Sequence, residues 1–128
     1  MRIIFVGIHN KPMKRPLDSS TKSGILIDRC IRALRPKECV KTNFFDIDYL
    51  PKLNDDIIHK SYLEWNNRVD VYSEDVVVLL GAITHKCWEN YSPPYKIIKV
   101  GHPSSVWSIE KKIWYVNNIV EKVTRATQ

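Results

Sequence analysis

The chain has little of what marks a secreted, metal-built or membrane-spanning protein. Its 128 residues contain three cysteines, an odd number, which argues against a disulfide framework and fits a reducing, intracellular setting. No histidine–cysteine pair has the spacing of a zinc site, and no set of four cysteines could hold an iron–sulfur cluster. No metal and no cofactor is therefore expected. No apolar run approaches the roughly 18 residues of a spanning helix, and no secretory leader precedes the first apolar segment. The expectation is a protein of the cytoplasm, nucleoid or nucleus without a membrane partner. Repeats, low-complexity stretches and linkers are also missing, so residues 1–128 read as one domain and a monomer.

What is present is an excess of basic side chains. Lys and Arg number 20 against 14 Asp and Glu, giving a net charge of +6. That balance suits a polyanionic partner.

Short apolar runs alternate with helical patterns. Arg2-Ile3-Ile4-Phe5-Val6 reads as a strand buried on both faces, with Gly7 as its stop. Thr21 to Leu34 carries a helical stripe of Ile25, Leu26, Cys30, Ile31 and Leu34, ended by Pro36. Val40 to Phe45 is a second strand, followed by a loop from Asp46 to Asp56 and a helix from Ile57 to about Val69. Asp75 to Leu80 is the clearest strand. Ile83 to Tyr91 is a short helix, Tyr95 to Val100 a fourth strand, and Ser108 caps a last helix reaching Thr127. Strands separated by helices predict a three-layer α/β/α domain with a four-stranded parallel sheet in the order 2-1-3-4. Cys30 and Cys87 are expected in the core. His59 and His85 are expected on helix surfaces.

Polar residues mark the carboxyl ends of three strands, where open α/β sheets build ligand sites. They are Gly7-Ile8-His9-Asn10-Lys11-Pro12, then Thr42-Asn43, then Gly101-His102-Pro103-Ser104. Pro103 stiffens the last of these and biases His102 towards an extended backbone. A stiff imidazole suits stabilisation of charge that develops only in a transition state. Lys11, Lys14, Arg15 and Lys22 cluster around the first motif, as phosphate-contacting residues would.

These motifs, in this order, resemble those of the uracil-DNA glycosylase superfamily, and so do the helix entry Ser20-Thr21-Lys22-Ser23-Gly24 and the strand end Leu79-Leu80-Gly81. The resemblance spans Ile3 to about Val123. It implies a base glycosylase that flips uracil or a related damaged base out of DNA. Gly7 and Ile8 would line the base pocket, and Asn43 would read the Watson–Crick edge through its amide. His102 would stabilise the departing anionic base. Ser104 and Ser105 would hold a DNA phosphate beside Lys14 and Arg15, and Val106 or Trp107 would wedge into the duplex. The chain departs from the family pattern at His9 and Asn10, which stand where an Asp or Asn and a Pro are usual. His9, Asn10 and Asp18 are thus the candidates for placing the attacking water. Phe44 or Phe45 would supply the aromatic stack on the base. The alternative is a catalytically silent relative that binds DNA, a nucleobase or a nucleotide.

Overall fold

Buried apolar runs and amphipathic helices assemble around a single sheet in the computed structural model of the protein, which describes residues 2–128. The element order is β1 (Arg2–His9), α1 (Lys22–Leu34), β2 (Glu38–Phe45), α2 (Asp55–Val69), β3 (Val76–Leu80), α3 (Ala82–Trp88), β4 (Lys96–Val100), a 3-10 turn (Pro103–Ser105) and α4 (Ile109–Ala126). All strand pairs are parallel, and the sheet order is β2-β1-β3-β4. The expected three-layer architecture is the observed one.

Side chains of the central strands alternate between two cores. Ile3, Phe5, Val76, Val78 and Leu80 face Leu26, Ile27 and Cys30 of α1 and Tyr115, Ile119 and Val123 of α4. Ile4, Val6, Val77 and Leu79 face Ile58, Tyr62 and Trp65 of α2 and Cys87 and Trp88 of α3. Complete burial of such side chains stabilises the fold by about 1.5–3 kcal/mol each. This double burial explains why β1 and β3 read as unbroken apolar runs.

The longer helices begin at side-chain caps. Thr21 accepts from the Gly24 N–H, Asn54 from Ile57 and Ser108 from Lys111. α1 ends at Leu34, with Arg35 in a left-handed conformation (φ 49°) just before Pro36. At the amino ends of β1 and β3, the buried Asp75 carboxylate accepts from Arg2 Nε (3.1 Å), Arg2 Nη2 (2.7 Å) and the Tyr72 N–H (2.8 Å). Among the described residues, no helix is long and apolar enough to cross a membrane.

Three local expectations are corrected. Gly7 does not stop β1, which continues to His9 and pairs Gly7 with Asn43 and His9 with Phe45. The chain uses Gly7 for the space above its missing side chain. α3 ends at Trp88, short of Tyr91. His85 is not a surface residue. Its half-buried Nε2 lies 2.8 Å from the Val100 carbonyl and 3.1 Å from that of Leu79. Those carbonyls lie at the ends of neighbouring strands, and α3 starts immediately after β3, bringing His85 over them.

Candidate functional site

The strand order places the topological switch between β1 and β3, because the chain leaves β1 towards β2 and leaves β3 towards β4. A cavity of about 250 Å3 lies at this carboxyl end of the sheet. Gly7, Ile8 and His9 of β1, Asn43 of β2, and His102 and Ser104 after β4 all line it. Lys11, Lys14, Arg15, Leu17, Asp18, Thr21 and Ser23 complete its wall. At this volume the cavity admits a group of nucleobase size and falls below the ~300–1,000 Å3 of pockets that enclose drug-sized ligands.

Hydrogen bonds fix the two histidines in opposite tautomers. His102 Nδ1 lies 3.1 Å from the Ser104 N–H and 2.6 Å from Ser104 Oγ. A backbone N–H can only donate, so Nδ1 is the acceptor and neutral His102 carries its proton on Nε2. Burial, and secondarily the charge of Lys11, push the His102 pKa down from its ordinary 6.5, favouring this neutral form. His9 Nδ1 lies 2.9 Å from the Asn10 carbonyl, which can only accept. Neutral His9 therefore carries its proton on Nδ1 and leaves Nε2 as an acceptor. In their neutral forms the two imidazoles of the cavity therefore differ: His102 donates through Nε2 and His9 accepts through it.

Asn43 is only 4 % exposed. Its Nδ2 donates to Asn10 Oδ1 at 2.7 Å, and Asn10 Nδ2 in turn donates to Asp46 Oδ1 at 3.2 Å. The amide oxygen of Asn43 lies over Gly7, where a Cβ would come within 2.5 Å of it. Gly7 is required by this close approach.

The segment between β1 and α1 is braced from below. Lys41 Nζ contacts Asp28 Oδ1 (2.6 Å), the Leu17 carbonyl (2.9 Å) and Ser19 Oγ (3.3 Å). This three-way contact holds Leu17, whose φ of 49° is left-handed, against the cavity. The braced loop carries Lys11, Lys14 and Arg15, all exposed, around the mouth. Lys14 Nζ is 2.8 Å from Ser20 Oγ.

Several expected site residues occupy other roles. Phe45 is 4 % exposed and packs edge-on against Phe44, ring centroids 4.8 Å apart, in the core beneath α2 and α3. Neither Phe lines the cavity, and among the described residues no other Phe, Tyr or Trp does. The amide of Asn10 is engaged at both ends and lies behind the wall. The Asp18 carboxylate accepts from the N–H groups of Ser20 (2.9 Å) and Arg15 (3.2 Å). These bonds, Ser20 first, hold its pKa down at about 2 and commit it to a turn. Both donors of Ser104 go to His102 Nδ1, and both donors of Ser105 go to the His102 carbonyl (N 3.1 Å, Oγ 2.7 Å). Ser104 and Ser105 therefore shape the His102 turn and keep no donor spare for a phosphate. Val106 packs against the α1–α4 core, whereas Trp107 beside it is 81 % exposed. Lys22 faces a separate depression with Arg29 and Lys112.

Asp46 and Ser23 were not apparent as site residues. Ser23 is 8 % exposed on the cavity wall in the first turn of α1. Asp46 directly follows β2, does not line the cavity and meets it only through its hydrogen bond to Asn10, which no local pattern announces. No family model matches this chain, and no curated protein matches it significantly.

Proposed function

We propose that the protein is a DNA base glycosylase that hydrolyses the N-glycosidic bond of uracil or a related modified base. The observation that carries this reading is the pairing, in one small cavity, of a donor imidazole at His102 with an acceptor imidazole at His9. In the proposed reaction the C1′–N bond breaks and its electron pair leaves with the base. His102 Nε2–H donates a hydrogen bond to the base oxygen where that charge collects, which favours the transition state over the ground state. A water adds to C1′ and gives its proton to His9 Nε2. Asn43 reads the base edge, and Lys11, Lys14 and Arg15 neutralise flanking phosphates. Trp107 is the exposed residue available to enter the duplex.

Abasic-site formation under single-turnover conditions tests this on oligonucleotides carrying uracil, hypoxanthine, xanthine or modified pyrimidines. His102→Ala should slow release by about two to three powers of ten, the range for a preorganised donor. His9→Ala should slow it too, because the acceptor for the water's proton is lost. DNA binding should persist in both and weaken steeply with salt. Unchanged release by His102→Ala removes its role. One observation favours the second reading, a silent nucleobase or DNA binder: the cavity's only carboxylate among the described residues, Asp18, is committed to its own turn. DNA binding without release of any tested base would establish that reading instead.

A further inference from the structure

We infer that Asp46 is a positioning residue: acting through Asn10, it fixes which end of the Asn43 amide faces the cavity, and so which base edge the cavity accepts. The selectivity part of this inference rests on the function proposed above. The locking part rests on hydrogen bonds alone.

A primary amide has nearly the same shape after a half-turn about its last torsion. An unlocked asparagine can therefore offer donor-then-acceptor or acceptor-then-donor to a ligand, and cannot by itself tell two complementary edges apart. The chain removes that freedom in two steps. An ionised carboxylate only accepts, so Asn10 must turn its NH2 to Asp46 Oδ1, 3.2 Å away. The Asn10 oxygen then faces Asn43, which must give its own NH2 across 2.7 Å. Reversing either amide alone sets oxygen against oxygen or NH2 against NH2. Reversing both sets the Asn10 oxygen against the Asp46 carboxylate. Turning one amide alone leaves a repulsive contact at the part-buried Asn10–Asn43 pair, and turning both leaves oxygen against carboxylate at the exposed Asn10–Asp46 pair.

The intermediate amide cannot drift away from this geometry. The Asn10 N–H donates to the Ile47 carbonyl at 2.8 Å, and the Asn10 carbonyl accepts from His9 at 2.9 Å. The same backbone stretch that anchors Asn10 thus carries Asp46. At the far end, the Asn43 oxygen rests over Gly7, and Arg68 Nη2 donates to the Asn43 backbone carbonyl at 3.0 Å. Only one N–H and the oxygen of the Asn43 amide remain for a ligand, in a fixed order. The ligand class is a planar base edge with adjacent donor and acceptor, and an edge offering only the inverted order is rejected. Uracil, whose imide N–H lies between two carbonyls, can meet either order. Cytosine, with an amino donor beside a ring acceptor, can meet only one.

Asp46→Asn tests the lock with almost no change of shape at an exposed position. The substituted amide can turn its own NH2 to Asn10, which permits the reversed chain. In ligand-free, 15N-labelled protein, the Asn43 side-chain NH2 should exchange with water about tenfold faster in Asp46→Asn than in wild type. Equal exchange overturns the lock. The second arm measures binding of oligonucleotides holding one deoxyuridine or deoxycytidine with a 2′-fluoro sugar, which resists cleavage. Wild type should prefer one base, and Asp46→Asn should lower that preference about tenfold while the thermal midpoint stays the same. Faster exchange with an unchanged preference overturns the selectivity role. If wild type binds neither oligonucleotide, the proposed function fails, and the lock stands or falls on exchange alone.

Discussion

Replacing Gly81 by alanine should damage both the fold and the His102 turn. Gly81 has φ 93° and ψ 161°, a region nearly closed to L side chains, where holding one costs about 1–3 kcal/mol. A Cβ at this position would also meet His102 Cβ at 3.1 Å and Cδ2 at 3.4 Å. His102 cannot easily retreat, because its Nδ1 is tied to Ser104 and the following Pro103 is buried. Crowding of a packed neighbour adds roughly 1 kcal/mol. The lost freedom of the unfolded chain offsets about 0.4–1 kcal/mol. The net destabilisation is about 2 kcal/mol. With a urea m-value near 2 kcal/mol/M, typical of a small domain, the unfolding midpoint should fall by about 1 M at constant m. Gly101→Ala supplies the control on the other side of the same histidine. Nothing lies within 4 Å of a Cβ there and its φ is not left-handed, so only the unfolded-chain effect acts and stability should rise by about 0.4–1 kcal/mol. Equal midpoints for the two variants would refute the reasoning.

Four further outcomes are expected. His102 should titrate below the ordinary 6.5, because burial and then Lys11 disfavour its charged form. The unfolded chain then binds the proton more readily, so this contribution to stability is present above pH 6.5 and is lost as pH falls towards the lower folded value. NMR titration should show the depressed midpoint in wild type and a higher one in Lys11→Met; a wild-type midpoint above 6.5 would contradict the assigned environment. Asp75→Ala should cost roughly 3 kcal/mol in urea unfolding, the lower end for breaking a buried ion pair, because Arg2 keeps 15 % side-chain exposure. Glu121→Ala, at the exposed Arg125 pair, should change stability by less than about 0.5 kcal/mol. Free uracil should compete poorly with oligonucleotide in anisotropy measurements, since the cavity wall offers no aromatic stack, a contact worth about 1–3 kcal/mol per base. Micromolar competition by the free base would show that a different surface holds it.

The sheet and its order were legible because each central strand is buried on both faces and so carries an unbroken apolar run. The site was legible at coarser grain. Parallel strands deliver their carboxyl ends to one edge, so polar residues ending strands had to meet there, and Gly7, His9, Asn43 and His102 line one cavity. What pattern could not reveal was side-chain destination. Alternation along β2 puts Phe45 on the face of Asn43, but at the last residue of the strand Phe45 packs with Phe44 in the same core. Asp18 looked like a free carboxylate because a turn that consumes both oxygens leaves no trace in hydropathy. His85 looked exposed because its partners are backbone carbonyls, which the sequence does not distinguish.

The same reasoning explains how polar side chains around the cavity are held in fixed orientations. Burying an amide without partners costs about 1–3 kcal/mol, and Asn43 sits at 4 % exposure. Its cost is met by Asn10 on one side, and the absence of a side chain at Gly7 leaves room on the other. Lys41, a half-buried cation, bears on Asp28 and on two points of the loop at once, so the cationic rim is held on a fixed frame. Pro103 and the two serine hydroxyls do the same for His102. Asn43 and His9 are thus oriented by Asn10, outside the cavity, and His102 by Ser104 at its wall. An enzyme that stabilises a brief charge needs that arrangement, because dipoles already aimed need no reorganisation as the charge appears. A surface that merely attracts a polyanion needs only the rim.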